Sequence, residues 1–229
     1  MDRCGGTSNF FLPKSSLGTS ISGPAFNRLK TVQRWNSMVY KERSLNVVLE
    51  EITEKCNKGG LPKIISDTAK IMYKNLSECK HLKGINKGKS VIIRGVNRKS
   101  LIAACVFFSC IVNKNPRSPK EISELFVLDI KRITKGCKQF FKLMKTCSNQ
   151  NVFEQLDPDT TEHYIVRFCH KLKIRDENIQ VALQIAKNSK ILRIASAHTP
   201  QSIAAGSILL MVKMKTLKGI EKKDISKIF

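Results

Sequence analysis

Acidic residues are scarce in this sequence: 18 Asp and Glu stand against 41 Lys and Arg in 229 residues, a formal charge of +23 at pH 7. The carboxylates are scattered, so the clustered acids that a nucleic-acid enzyme needs are missing. The eight cysteines, at positions 4, 56, 79, 105, 110, 137, 147 and 169, include no C-x-x-C pair, and the four histidines show no ligand spacing. That excludes a recognisable structural zinc site, and no cofactor is expected. The N-terminus lacks a basic region followed by an apolar run, so no signal peptide is read there. The longest apolar runs, "LIAACVFFSCIV" and "SIAAGSILLMV", are too short to cross a bilayer and fit buried core helices, which excludes a membrane partner. "FCH", at Cys169-His170, fails as a nucleophile and base, because adjacent residues on a helix point in different directions.

What is present is positive charge. An excess of +23 repels itself in a compact state and calls for a polyanion. Nucleic acid leads, since each phosphate neutralised by Lys or Arg releases a condensed counterion. Cys56, Cys105 and Cys110 sit inside apolar helical patterns, where free thiols pack as small hydrophobes, and this points to a reducing, intracellular compartment.

Residues 1–43 differ from the rest. Gly5, Gly6, Pro13, Gly18, Gly23 and Pro24, many serines and the basic "NRLKTVQRWNSMVYKER" predict a mostly extended arm, with a short helix around Val32 to Lys41. From Ser44 the pattern is helical. Leu45, Val48, Leu49, Ile52 and Cys56 make one amphipathic stripe, and "NKGG" ends it. The second helix opens at Leu61-Pro62, with Ile64, Thr68, Ile71 and Met72 as its buried face. The third, Lys99 to Val112, is apolar nearly all round. A fourth follows "NPRSP", with Ser118 as N-cap and Glu121 as its capping-box partner. The fifth covers roughly Asp129 to Lys145.

The order then recurs, over Tyr164 to Leu172, Asp176 to Leu192 and Gln201 to Val212. "LIAAC" aligns with "SIAAG" at an offset of 101 and "KEISELF" with "KDISKIF" at 103, which is a duplication with a two-residue insertion. The fold class is therefore all-α: an arm (1–43), a first five-helix domain (44–147), an acidic joint (148–160) and a second domain (161–229). The first copy carries about 16 extra residues between its second and third helices, "ECKHLKGINKGKSVIIRGVNRK", an exposed basic loop that either binds a target or is merely solvated.

"SPKEISELF" followed by "VLDIKRITKGCKQFFKLMK" has the form of a helix-turn-helix. Lys131, Arg132, Lys135, Lys138 and Lys142 recur on the longer helix, while Ile133, Cys137 and Phe140 or Phe141 hold it to the domain. Lysine suits phosphate, so these side chains position more than they read. Locally the pattern fits a DNA-facing helix and a plain packing hairpin alike.

Taken in order, these stretches resemble the transcription factor IIB family. "DRCGGTSNFFLPKSSLGTSI" is similar to its reader segment and "RLKTVQRWNSMVYKERSLNVVLEEI" to the basic linker into the first repeat. "LPKIISDTAKIMYKNL" and "LIAACVFFSCIVNKNPRSPKEI" resemble helices of that repeat; "RFCHKLKI" and "TPQSIAAGSI" match the second. The resemblance implies two tandem five-helix cyclin-like repeats after an extended arm. It implies an initiation factor, not an enzyme, that bridges promoter DNA held by a TATA-binding protein to RNA polymerase and assists opening and start-site positioning. DNA-facing roles fall on Arg117, Lys120, Lys131, Arg132, Lys135 and Lys138, with Lys222 and Lys223 in the second repeat. Asn9, Phe10, Phe11, Leu12, Arg28, Lys30, Arg34 and Trp35 face polymerase. The nucleus is the expected site of action, or the cytoplasm and virion for a cytoplasmic DNA virus.

There are departures. These residues supply no zinc ribbon, and Cys4 is not read as a ligand. The basic loop has no family counterpart, which suggests a divergent, viral member. The second copy stops after "KKDISKIF", so the chain is expected to be part of a longer protein, its second repeat lacking a last helix. The rival reading is a cyclin-like module that binds a kinase or a peptide in an apolar groove.

Overall fold

Leu45, Val48, Leu49, Ile52 and Cys56 do share one helix face. In the computed structural model that helix runs Tyr40–Lys58, beginning ahead of the expected boundary at residue 44. The structure describes residues 9–15, 28–81, 86–146, 161–194, 197–217 and 220–228; the joint read at 148–160 lies outside them. The described helices, in chain order, are α1 (Arg28–Ser37), α2 (Tyr40–Lys58), α3 (Lys63–Glu78), α4 (Gly95–Val112), α5 (Pro119–Phe126), α6 (Ile130–Thr146), α7 (Thr161–Lys171), α8 (Asp176–Ile191), α9 (Pro200–Met214) and α10 (Lys222–Ile228). Among the described residues there is no strand beyond two isolated bridges, so the fold is all-α.

Two apolar cores form. The first gathers α2 to α6 around α4, whose Ala103, Ala104, Cys105 and Val106 are wholly buried. Small side chains there let neighbouring helices approach from several sides. By length and composition alone α4 could cross a membrane; the apolar run seen in the sequence extends through "GVNRKS" to 18 residues. Its burial by α3 and α6 marks it as a core helix instead. The second core gathers α7 to α10 around α9, with Ala204, Ile208 and Met211 fully buried and Ile225 of α10 closing one side.

One expected face is out of register. On α3 the buried apolar residues are Ile65, Ala69, Met72, Tyr73 and Leu76, whereas Ile64 and Ile71 are 62% and 44% exposed. Apolar pairs at 64/65 and 71/72 support either stripe. Tyr73 and Leu76 belong to only one of them, and they decide the rotation.

The capping box is present: Ser118 Oγ accepts from Glu121 N–H at 3.0 Å, and the Glu121 carboxylate accepts from Ser118 N–H at 2.8 Å. The turn from α5 into α6 is made by Val127, left-handed at φ 53° and 83% exposed. A β-branched residue is disfavoured there and gains nothing by burial. Val127→Gly is therefore expected to raise stability by about 1 kcal/mol, the relief of a left-handed L-residue, as read by urea unfolding.

Of the arm, the structure describes residues 9–15 and 28–43. Asn9 to Ser15 form a turn in which Asn9 Oδ1 accepts from Phe11 N–H at 2.9 Å and Asn9 O from Leu12 N–H at 3.0 Å. The turn docks on the first repeat: buried Glu42 of α2 accepts from Lys14 N–H at 3.0 Å and from the Ser15 hydroxyl. Lys74 of α3 donates to Phe10 O and lies 3.7 Å from the Phe10 ring centroid. Leu12 is 3% exposed, buried beneath the turn.

Candidate nucleic-acid interface

On α6, Lys131, Lys135, Lys138, Lys142 and Lys145 fall at i, i+4, i+7, i+11 and i+14, and all five are exposed. At 3.6 residues per turn they form one stripe about 21 Å long. Ile133, Gly136, Phe140, Leu143 and Met144 are buried on the opposite side. Phe140 stacks on Phe108 of α4 at 4.4 Å between centroids. The core therefore fixes the helix rotation, and the rotation presents the lysines together. Lys145 was not singled out from the sequence, although the same spacing reaches it.

The other expected DNA-facing cations divide. Arg132 is half exposed, with a loose 3.9 Å pairing to Asp129. Lys120 in the first turn of α5 and Lys222 and Lys223 at the start of α10 are exposed. Cations there oppose the helix dipole, so they do not serve the helix itself. Arg117 is different. Its side chain is 21% exposed and its guanidinium lies 3.7 Å from Glu121, in a joint between the repeats, not on the open surface.

The joint is built around Glu121. Arg167 of α7 donates from Nη2 to Glu121 Oε2 at 2.7 Å and from Nη1 to Pro116 O, and Lys171 Nζ reaches Glu121 Oε1 at 3.3 Å. The Tyr164 hydroxyl donates to Arg117 O at 3.1 Å. Burial pushes the Glu121 carboxyl up, but the Ser118 amide with Arg167, Lys171 and Arg117 outweighs it and holds the group below its ordinary 4.5. Burial lowers Arg167, opposed mainly by Glu121.

The expected polymerase-facing residues lie elsewhere on the first repeat. Phe10 is exposed while Phe11 is half-buried beside it, edge to face at 5.3 Å. Asn9 spends its side chain on the turn. On α1, Arg28, Lys30 and Trp35 are exposed; Arg34 lies on the same helix, its side chain outside the described set. Arg43 lies 5.7 Å from the Trp35 ring and 5.6 Å from that of Tyr40, beside a shallow groove of about 380 Å³ also lined by Lys30 and Val47.

Among the described residues the free thiols are buried or half-buried and offer no nucleophile. Cys169 is buried and pushed up to about 11, whereas His170 is exposed on another face. Burial likewise drives Cys110 up to about 12 and Cys137 to about 11. Five described cysteines are free. Cys79 is disulfide-bonded, which runs against the reducing compartment read from the sequence.

A family profile described as "Transcription factor TFIIB repeat" matches residues 41–146, the span of α2 to α6. A putative transcription initiation factor IIB-like protein of Acanthamoeba polyphaga mimivirus is 51% identical over all of this chain and half of its own length. Transcription initiation factor IIB of Encephalitozoon cuniculi is 32% identical over 97% of this chain and 66% of its own. Transcription initiation factor IIB 2 of Thermoplasma acidophilum is 27% identical over 94% and 65%. The chain belongs to the transcription factor IIB family. Its likeness to the mimivirus protein marks a divergent, viral-type member, and it spans only half to two thirds of the curated relatives it matches. The family profile takes in both the lysine stripe of α6 and Glu121, the residue on which the second repeat is seated.

Proposed function

We propose that this chain serves transcription initiation in the manner of transcription factor IIB. Its repeats bind the phosphate backbone of promoter DNA, together with a TATA-binding protein, and its leading segment engages RNA polymerase to assist duplex opening and start-site positioning. The observation that carries this reading is the α6 stripe: five exposed lysines opposite a buried apolar face. Lys131, Arg132, Lys135 and Lys138 are its phosphate-binding centre, with Lys120 beside them and Lys222 and Lys223 in the second repeat. Arg117 and Leu12 are left out, the first because it serves the joint and the second because it is buried. Toward polymerase, the exposed Phe10, Arg28, Lys30 and Trp35 are the side chains available.

Lysines that bind phosphate without reading bases have a signature in salt. Replacing Lys135 and Lys138 together by glutamine is expected to weaken binding to every duplex alike. The slope of log K against log salt should fall by about 2, one released counterion per contact. Fluorescence anisotropy across a salt titration measures this, and an unchanged slope would remove α6 from the interface.

A further inference from the structure

From Cys79 to Lys120 the chain contains no Asp or Glu. The first part of this stretch joins α3 to α4, and its described residues on either side, 79–81 and 86–91, are hydrogen-bonded to one another. Val91 N–H donates to Cys79 O at 3.0 Å, His81 N–H to Lys89 O at 3.0 Å and Gly88 N–H to His81 O at 2.9 Å, around an antiparallel bridge between Lys80 and Ser90. These bonds hold the described residues together as a short bridged ribbon, with Gly88 at φ 80°.

The ribbon is strapped down on one side. Val91 and Ile93 pack against the first core, and by strand alternation Ser90, Ile92 and Arg94 face out. At its foot Arg98 donates to Ser44 O at 2.6 Å and to the Tyr73 hydroxyl at 3.2 Å, so this cation is structural. At the other foot buried Cys79 lies 3.8 Å from Leu143 O, beside the last turns of α6, where Lys142 and Lys145 end the stripe.

We propose that this ribbon is a second phosphate-binding element, gripping the backbone of the same duplex that lies on α6. The proposal rests on the DNA-binding reading of α6 and adds a contact surface to it. Lys80, Lys87, Lys89, Arg94 and Lys99 are all exposed, and none makes an ion pair among the described residues. Five cations on an ordered support with no interspersed carboxylate repel one another, and a surface serving only solubility would mix both signs. A phosphate backbone relieves the repulsion. Ordering the ribbon in advance lowers the entropy lost on binding, and its root at Leu143 O sets it at the C-terminal end of α6. The contact carries no base specificity, since lysine binds phosphate as a point charge.

The test uses the whole chain and a mixed-sequence duplex. Lys87→Gln, Lys89→Gln and Arg94→Gln combined should lower the salt slope by about 3, one per contact. Retaining the charges with Lys87→Arg and Lys89→Arg should leave it at the wild-type value. Added to Lys135→Gln and Lys138→Gln, the ribbon changes should subtract a further, similar amount. A ribbon variant with the wild-type slope, or a charge-retaining variant that loses slope, overturns the proposal and leaves α6 standing; the first result would hand the ribbon to an acidic protein surface. Loss of slope from the ribbon alone, with none from α6, refutes the α6 reading and the shared duplex but not the ribbon's grip on DNA. Because the substituted side chains are exposed, unchanged urea unfolding of each variant ties a lost slope to charge.

Discussion

Glu121→Ala is expected to cost about 2 kcal/mol, below the range for breaking a fully buried ion pair because this one is part-buried, and to loosen the second repeat from the first. The carboxylate faces Arg167, Lys171 and Arg117 while closing the capping box of α5. Arg167 and Arg117 are only 16% and 21% exposed in their side chains, so water cannot replace the lost partner fully, and two guanidiniums are left side by side. The box adds its own contribution, typically about 1 kcal/mol. Two readouts separate these effects. Urea unfolding should show a lower midpoint, and limited proteolysis between the repeats should quicken. Glu121→Gln retains much of the cap but not the charge and should fall between. A double-mutant cycle with Arg167→Met should give a coupling above 1 kcal/mol, since contacting residues in one network are non-additive. Wild-type stability in Glu121→Ala would remove the joint as a structural element. The same carboxyl sets a pH dependence. Its folded pKa lies below 4.5, so its contribution is complete above that value and is lost as pH falls through the depressed one. In the alanine variant that acid-side loss should shrink.

How much of this was legible beforehand depended on range. The capping box was readable because both partners lie within four residues, and the α6 stripe because helical spacing repeats its cations against an apolar face. The seating of Arg167 on Glu121 was not, for it joins residues 46 apart across a junction with no local signature. Glycines and serines in the arm suggested an extended chain. They do not reveal that a buried acid on α2, Glu42, supplies acceptors for the turn at Lys14 and Ser15. Likewise, "INKGKS" reads as a basic loop by composition. Its ribbon pairing depends on the alternation of Val91 and Ile93 onto a core that only the folded chain creates.

Gly136→Ala is expected to destabilise by about 3 kcal/mol, the upper part of the overpacking range. A Cβ built at this position would lie 2.2 Å from the carbonyl oxygen of Ser100 and 2.7 Å from its carbonyl carbon. Both atoms are helix backbone in the middle of a core, and Ser100 is itself 3% exposed, so nothing there can swing aside as a side-chain tip would. The substitution would force α6 outward along the line where Phe140 stacks on Phe108, opening the packing that sets the helix rotation. Helix propensity works the other way, favouring alanine over glycine by about 1 kcal/mol, which makes Gly206 the natural control. It lies in α9, and a Cβ there would meet nothing within 4 Å. Gly206→Ala should therefore raise stability by up to about 1 kcal/mol, leaving only propensity to act. Opposite shifts of the urea midpoint in the two variants, with weaker DNA binding in Gly136→Ala alone, would show that close contact between α4 and α6 positions the lysines. Equal shifts would mean that α6 can back away without cost, and its stripe would then owe nothing to that contact.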